Sequence, residues 1–362
     1  MWSLLKKAGE FIVPESKPNS IEEFKTFCET VLSSISTGDR DDPTYLIGSL
    51  NNIVDYLIEE IDLDDHPCLD YFVSESIMQQ IVDSINKEIP ISHVEPIIDF
   101  FKSFVSSRLS KLFLQVTVLR PFSKLLSELD TLYQKDPETI LEFVSFLWKK
   151  LRSTPLAFEM LTINGKYPLF DFFFLFVFNP EPTNNFMRDA IETVVSKSPP
   201  AFSPTFIDYF RSHIYPKFIN FIIQCCECVT TIQINQTFVP ILNWIDAILA
   251  YDTEFPQVES LFERISKFEP PHQLLSISMI LSFFISPLIY DKAVQFAQTQ
   301  SFNDMLCSCL ESKTEFDRKA AVTCLKTILR CDSKILPNLF PTQHAEPADV
   351  LSLLPPEWLT QI

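Results

Sequence analysis

Glycine occurs four times in this 362-residue chain, at Gly9, Gly38, Gly48 and Gly165. Average usage would give about 25. A chain this poor in glycine has few places to adopt positive φ or to bring its backbone against a phosphate. Tight β-hairpins, Rossmann turns and P-loops depend on such places, and none of the four glycines reads as part of one. Proline points the other way. There are 26, against about 18 from average usage, and many stand at the start of an apolar run. The first turn of a helix accepts proline because its missing N–H would have had no partner there.

The apolar residues then follow a helical period. Ser20 and Glu23 form a capping box ahead of Ile21, Phe24, Phe27, Cys28, Val31, Leu32 and Ile35, spaced at three and four. Thr44–Ile61 places Leu46, Leu50, Ile53, Leu57 and Ile61 on one side, and the acids Asp62–Asp65 are assigned to the start of the next helix at Pro67. Ser92 with Glu95 fits a second capping box. Arg120-Pro121, Asp136-Pro137, Thr154-Pro155 and Ser203-Pro204 each read as a helix opening, with IYPKFINFIIQCCECV following the last. Tyr167–Phe178 is apolar on every side, which predicts a central, fully covered helix. No segment alternates as an exposed strand does. The count is about 17 to 19 helices with short links, in pairs recurring about every 35 to 45 residues, the range of HEAT and armadillo units. The expected fold is all-α, an α-solenoid of HEAT/armadillo-like repeats over residues 20–336. A short helix and linker occupy residues 1–19, and a proline-rich irregular tail residues 337–362.

Charge and chemistry narrow the function. The formal charge of −18 argues against nucleic acid as a partner and against simple electrostatic docking on anionic lipid. The N-terminus has no long apolar core of a signal peptide, and the apolar run Leu169–Phe178 is about half a membrane span. Nine cysteines without a secretory signal imply a reducing, cytoplasmic setting. Cys225, Cys226 and Cys228 lack the ligands of a closed zinc site; with Cys307 and Cys309 they read as buried thiols in helices. His66, His93, His213, His272 and His344 are scattered and read as helix-end or surface residues. Asp62, Asp64 and Asp65 lack the glycine of a calcium loop. No catalytic residue, cofactor or metal is expected, and the chain is read as a non-enzyme.

Five segments resemble, in order, the FTS- and Hook-interacting protein family. They are PCLDYFVSESIMQQIV from Pro67, VLRPFSKLL ending at Leu126, EFVSFLWKKLRSTPLAFEML ending at Leu161, YPLFDFFFLFVFNPEPTNNFMRDAIETVVS from Tyr167, and Leu242-Asn243-Trp244. The resemblance spans roughly residues 45–340 and departs at Leu119, where the family carries histidine. Relatives also carry a long further C-terminal region. The resemblance implies a scaffold that joins a Hook-like coiled coil and an FTS-like protein. It would link dynein–dynactin to endosomes or other vesicles, with a Rab GTPase on the membrane side. Candidate partner contacts are Arg120, Arg188, Asp189 and Trp244. The alternative for these is that Arg188 and Asp189 pair with neighbouring helices and Trp244 is core. The alternative function is a HEAT-like interaction module unrelated to Hook.

Overall fold

The computed structural model describes residues 21–37, 43–85, 89–179, 183–197, 201–228, 238–252, 255 and 257–330. These form 18 α-helices and one short 3-10 helix, with no strand among the described residues. The expected N-terminal segment, the Ser20 half of the first capping box, Cys331, His344 and the proline-rich tail lie outside them. The chain divides into two compact units between Phe172 and Phe173.

The first unit contains α1 (Ile21–Thr37), α2 (Thr44–Glu60), α3 (Pro67–Ser74), α4 (Ile77–Asp83), α5 (Ile91–Ser106), the 3-10 helix Arg108–Leu112, α6 (Val116–Ser127), α7 (Leu129–Tyr133), α8 (Pro137–Leu151) and α9 (Pro155–Met160). Helix α5 packs on α2, on α8 and on the 3-10 helix, while α4 packs on α6. An aromatic column runs through this core. Phe72 stacks on Phe104 at 6.0 Å, Phe101 meets Phe122 at 5.5 Å, and Phe122 meets Phe143 at 6.1 Å. Offset and edge contacts of this kind add about 0.5–1.5 kcal/mol each beyond area burial.

The division between the units falls within α10 (Pro168–Val177). The second unit continues with α11 (Thr183–Lys197), α12 (Pro204–Glu227), α13 (Val239–Leu249), α14 (Val258–Ile265), α15 (Pro270–Phe283), α16 (Pro287–Ala297), α17 (Gln300–Glu311) and α18 (Glu315–Arg330). Its centre is α15, which packs on α12, α13, α16, α17 and α18. Eight consecutive residues of α15, Leu274–Leu281, are buried. The two serines among them bond their own helix: Ser276 Oγ donates to the His272 carbonyl and Ser278 Oγ to that of Leu274, both at 2.7 Å. A serine satisfied by its own helix can be buried without a partner elsewhere. The all-round covering expected of Tyr167–Phe178 thus belongs to α15. Helix α10 buries Phe170, Phe172, Phe173, Phe174 and Val177 but leaves Leu175 58% exposed.

Several helix starts follow the local rules. Asp136 Oδ1 accepts from the Thr139 N–H at 3.2 Å, and Ser203 Oγ from the Phe206 N–H at 3.2 Å, each ahead of a proline that opens its helix. Pro155 opens α9, although the Thr154 side chain makes no cap. Other starts differ. Ser92 lies inside α5, which begins at Ile91 without a side-chain cap. Helix α6 begins at Val116, so Pro121 is interior rather than first. Burial of Val118, Leu119, Phe122, Leu125 and Leu126 on one face outweighs the intrahelical bond that the proline removes. Pro216 is likewise interior, and Pro204–Glu227 is one helix of 24 residues where two were expected. The acids Asp62–Asp65 form a turn, and Glu60 caps α3 instead. Its Oε2 accepts from the Cys68 and Leu69 N–H groups at 2.8 and 2.9 Å.

One glycine was also misjudged. Asn164 and Gly165 have φ of 52° and 72°, and Ile163 and Lys166 exchange two backbone hydrogen bonds of 3.0 Å. This two-residue turn, with positive φ at both centres, is what Asn-Gly encodes.

Candidate functional site

Of the four candidate contacts, Arg120 stands in the first unit and the other three in the second. Arg188 is buried on α11. Its Nε donates to the Val177 carbonyl at 3.2 Å, one terminal nitrogen to the Asn179 carbonyl at 3.3 Å, and the other to Asn185 Oδ1 at 3.3 Å. It therefore closes the C-terminal end of α10, where main-chain carbonyls lack helical partners and a cation is favoured. Burial pushes its pKa down, and neighbouring Asp189 opposes that shift. Asp189 itself faces solvent. Trp244 lies half-buried on α13, edge-on to Phe218 at 5.5 Å. Its indole Nε1 has no hydrogen-bond partner among the described residues. Helices α11 and α13 pack together. Arg120 is exposed on α6 and makes no ion pair among the described residues.

The buried polar groups hold helices together. Asp246 Oδ1 of α13 accepts from the Ile285 and Ser286 N–H groups at 3.0 and 2.7 Å, just ahead of α16. Asp252 takes a bidentate pair from Arg211, 2.9 and 2.8 Å, and the Tyr215 hydroxyl at 2.6 Å. Burial, and then the Asp252 carboxylate, raise the Tyr215 pKa. Burial also pushes the thiols of Cys28, Cys68, Cys225, Cys226 and Cys324 up to about 12 and that of Cys309 to about 11. A thiol so shifted stays protonated and is a poor nucleophile at neutral pH. Cys228, at the C-terminal end of α12, and Cys307 are exposed, against the burial expected of them. Among the described residues no group of three or more His, Cys, Asp or Glu side chains could hold a metal ion, and no helix is long and apolar enough to cross a membrane. His93 departs from the surface placement expected of it. It is buried in the first turn of α5, its Nδ1 has no hydrogen-bond partner among the described residues, and burial lowers its pKa.

A further feature is a charge pattern that belongs to no motif. Residues 100–127 hold five cations, Lys102, Arg108, Lys111, Arg120 and Lys124, and no acid, in a chain of net charge −18. The three lysines are paired, Lys102 with Asp99, Lys111 with Asp62 and Lys124 with Asp83. The two arginines have no ion pair among the described residues. Both are exposed, beside exposed Leu114 and Val116. The signal was readable as a local reversal of charge sign.

No family model and no curated protein sequence matches the chain.

Proposed function

We propose that the chain is a non-catalytic, protein-binding scaffold, and that it serves as an adaptor of the FTS- and Hook-interacting kind. Its partners would be a Hook-like coiled coil, an FTS-like protein and a Rab GTPase, at endosomes or other vesicles. The observation that carries this reading is the ordered agreement of five sequence segments with that family's pattern. Helix placement supports it. The segments fall on α3 and α4, on α6, on α8 and α9, on α10 and α11, and on α13. Four of those helices, α3, α8, α9 and α10, open on a proline, at Pro67, Pro137, Pro155 and Pro168.

The deciding experiment is a native pull-down from the protein's own cells. Recovery of a Hook-like coiled-coil protein together with an FTS-like protein is the expected result. Recovery of neither overturns the adaptor reading. The repeat architecture is tested separately, by small-angle scattering of the purified chain. A globular chain of 362 residues has a radius of gyration of about 21 Å. An α-solenoid exceeds that, and a value at the globular figure counts against one.

A further inference from the structure

We infer that the 3-10 helix and the first turn of α6 form a docking surface for an acidic, amphipathic segment of another protein. The inference rests on reading the chain as a protein-binding scaffold, and it does not require that the partner be Hook-like.

The argument begins with apolar exposure. Val116 is 71% exposed and Leu114 48%. Leu63, in the turn after α2, is exposed as well. That turn is tied to the 3-10 helix, because Lys111 bonds Asp62, the neighbour of Leu63. Single exposed apolar residues are ordinary on a protein surface. Here two of them flank one short connection, and a third sits on the turn bonded to it.

Charge then selects the occupant. Val116 and Arg120 are four residues apart on α6 and so share a face of that helix. Arg108 opens the 3-10 helix, ahead of Leu114 in the chain. The lysines of this stretch are ion-paired within the protein, while Arg120 is not, and Arg108 lies near enough to Asp62 to help lower its pKa without pairing with it. Arginine is the cation better suited to an interface, being weakly hydrated and shaped to grip a carboxylate with two donors. Exposed apolar residues with an exposed arginine before and after them in the chain complement a segment carrying apolar residues at helical spacing and carboxylates beside them. In a chain of net charge −18, a stretch of residues 100–127 with five cations and no acid runs against the overall charge.

The test uses the full chain in its own cells, with Val116 replaced by a photo-crosslinking benzoylphenylalanine. After irradiation the captured peptide is identified by mass spectrometry. The expected capture is a segment of another protein with net negative charge and apolar residues three and four apart. Adding Arg120→Glu, or separately Arg108→Glu, should reduce capture by about tenfold or more, because like charges then face each other. The thermal midpoint of these variants should stay where it was, since neither arginine bonds a described residue. A benzoylphenylalanine at exposed Ile285 should give captures that do not respond to Arg120→Glu. Capture of a neutral or basic segment, a crosslink within the chain itself, no capture, or capture indifferent to both charge reversals overturns the surface. An acidic segment from a protein unrelated to Hook or FTS supports the surface and counts against the adaptor reading. Hook-like and FTS-like partners retained in full by Arg120→Glu do the reverse.

Discussion

In the first unit, the ion pairs that join separate elements, Lys111 with Asp62 and Lys124 with Asp83, stand in solvent. In the second, the Asp252 carboxylate is only 5% exposed while it holds Arg211 and Tyr215, and Arg188 is buried against main-chain carbonyls. Both units share one device, an acid that accepts two main-chain N–H groups where a later helix starts: Glu60 at α3 and Asp246 just ahead of α16. They differ in where the arginines go. Arg188 and Arg211 of the second unit bind the fold together, whereas Arg108 and Arg120 of the first are left at the surface. The same residue type thus has opposite consequences on mutation. Loss of Arg188 or of the Asp252 cluster should cost stability, and loss of Arg120 should cost recognition alone.

The largest effect is expected from Asp252→Ala. It strands the fully buried Tyr215 hydroxyl and leaves Arg211 without its bidentate partner. Removing one side of such a cluster should destabilise by about 3 kcal/mol, reduced from the fully buried case because Arg211 can reach water. Urea unfolding of the variant checks this, and a change below about 1 kcal/mol would mean that the cluster is no tighter than a surface pair. Arg188→Met comes next. It preserves the apolar bulk but leaves the Val177 and Asn179 carbonyls unanswered, for a loss of about 2 kcal/mol. If Arg188→Met lost partner binding with stability intact, the contrast between the units would be broken.

Glu60 tests the device that the units share. Glu60→Ala leaves the Cys68 and Leu69 N–H groups without their acceptor and should cost about 1–2 kcal/mol, the range of a lost helix cap. Glu60→Gln keeps an oxygen acceptor and should recover most of that. Equal losses for the two would show that the charge of the carboxylate, rather than its hydrogen bonds, holds the helix end.

What could be read in the sequence divides along similar lines. Asp136-Pro137 and Ser203-Pro204 were legible because a cap is a contact within four residues. The helical class was legible because most buried faces repeat at three and four, α15 with its eight consecutive buried residues being an exception. Pro121 misled because a start signal was outweighed by burial of Phe122 and its neighbours, which is a tertiary effect. The buried serines of α15 hid its central position, since their hydroxyls are satisfied inside the helix and no local rule reports that. The Glu60 cap crosses a turn from eight residues upstream, beyond the reach of a capping pattern. Asn164-Gly165 is legible as a turn from its residue pair alone, and the overall scarcity of glycine does not bear on it. At the candidate contacts, residue type was readable but environment was not. Arg188 and Arg120 look alike in a sequence, and only packing separates a helix cap from an exposed cation.

His93 sharpens the contrast from the acid side. The arginines of the second unit stay charged at any pH at which the protein folds, so they contribute no titration. The first unit instead buries a histidine whose Nδ1 has no hydrogen-bond partner among the described residues. Burial holds its folded pKa below that of the unfolded chain, about 6.5. The unfolded state therefore takes up the proton first as pH falls, and stability must drop once pH passes below about 6.5. At neutral pH both states are neutral there and the effect vanishes, which makes it the smallest of the four under ordinary conditions. His93→Leu replaces the ring with an apolar side chain and removes the unsatisfied nitrogen, so its stability at pH 7 should stay close to that of the parent. Between pH 7 and pH 5 the parent should lose more stability than His93→Leu, as read from urea midpoints at the two values. Carboxylates that titrate in the same range act on both proteins alike, so the difference between the two slopes isolates the histidine. Parallel slopes would mean that the proton finds water or a partner in the folded chain, and that the first unit opens around α5 more readily than its packing implies.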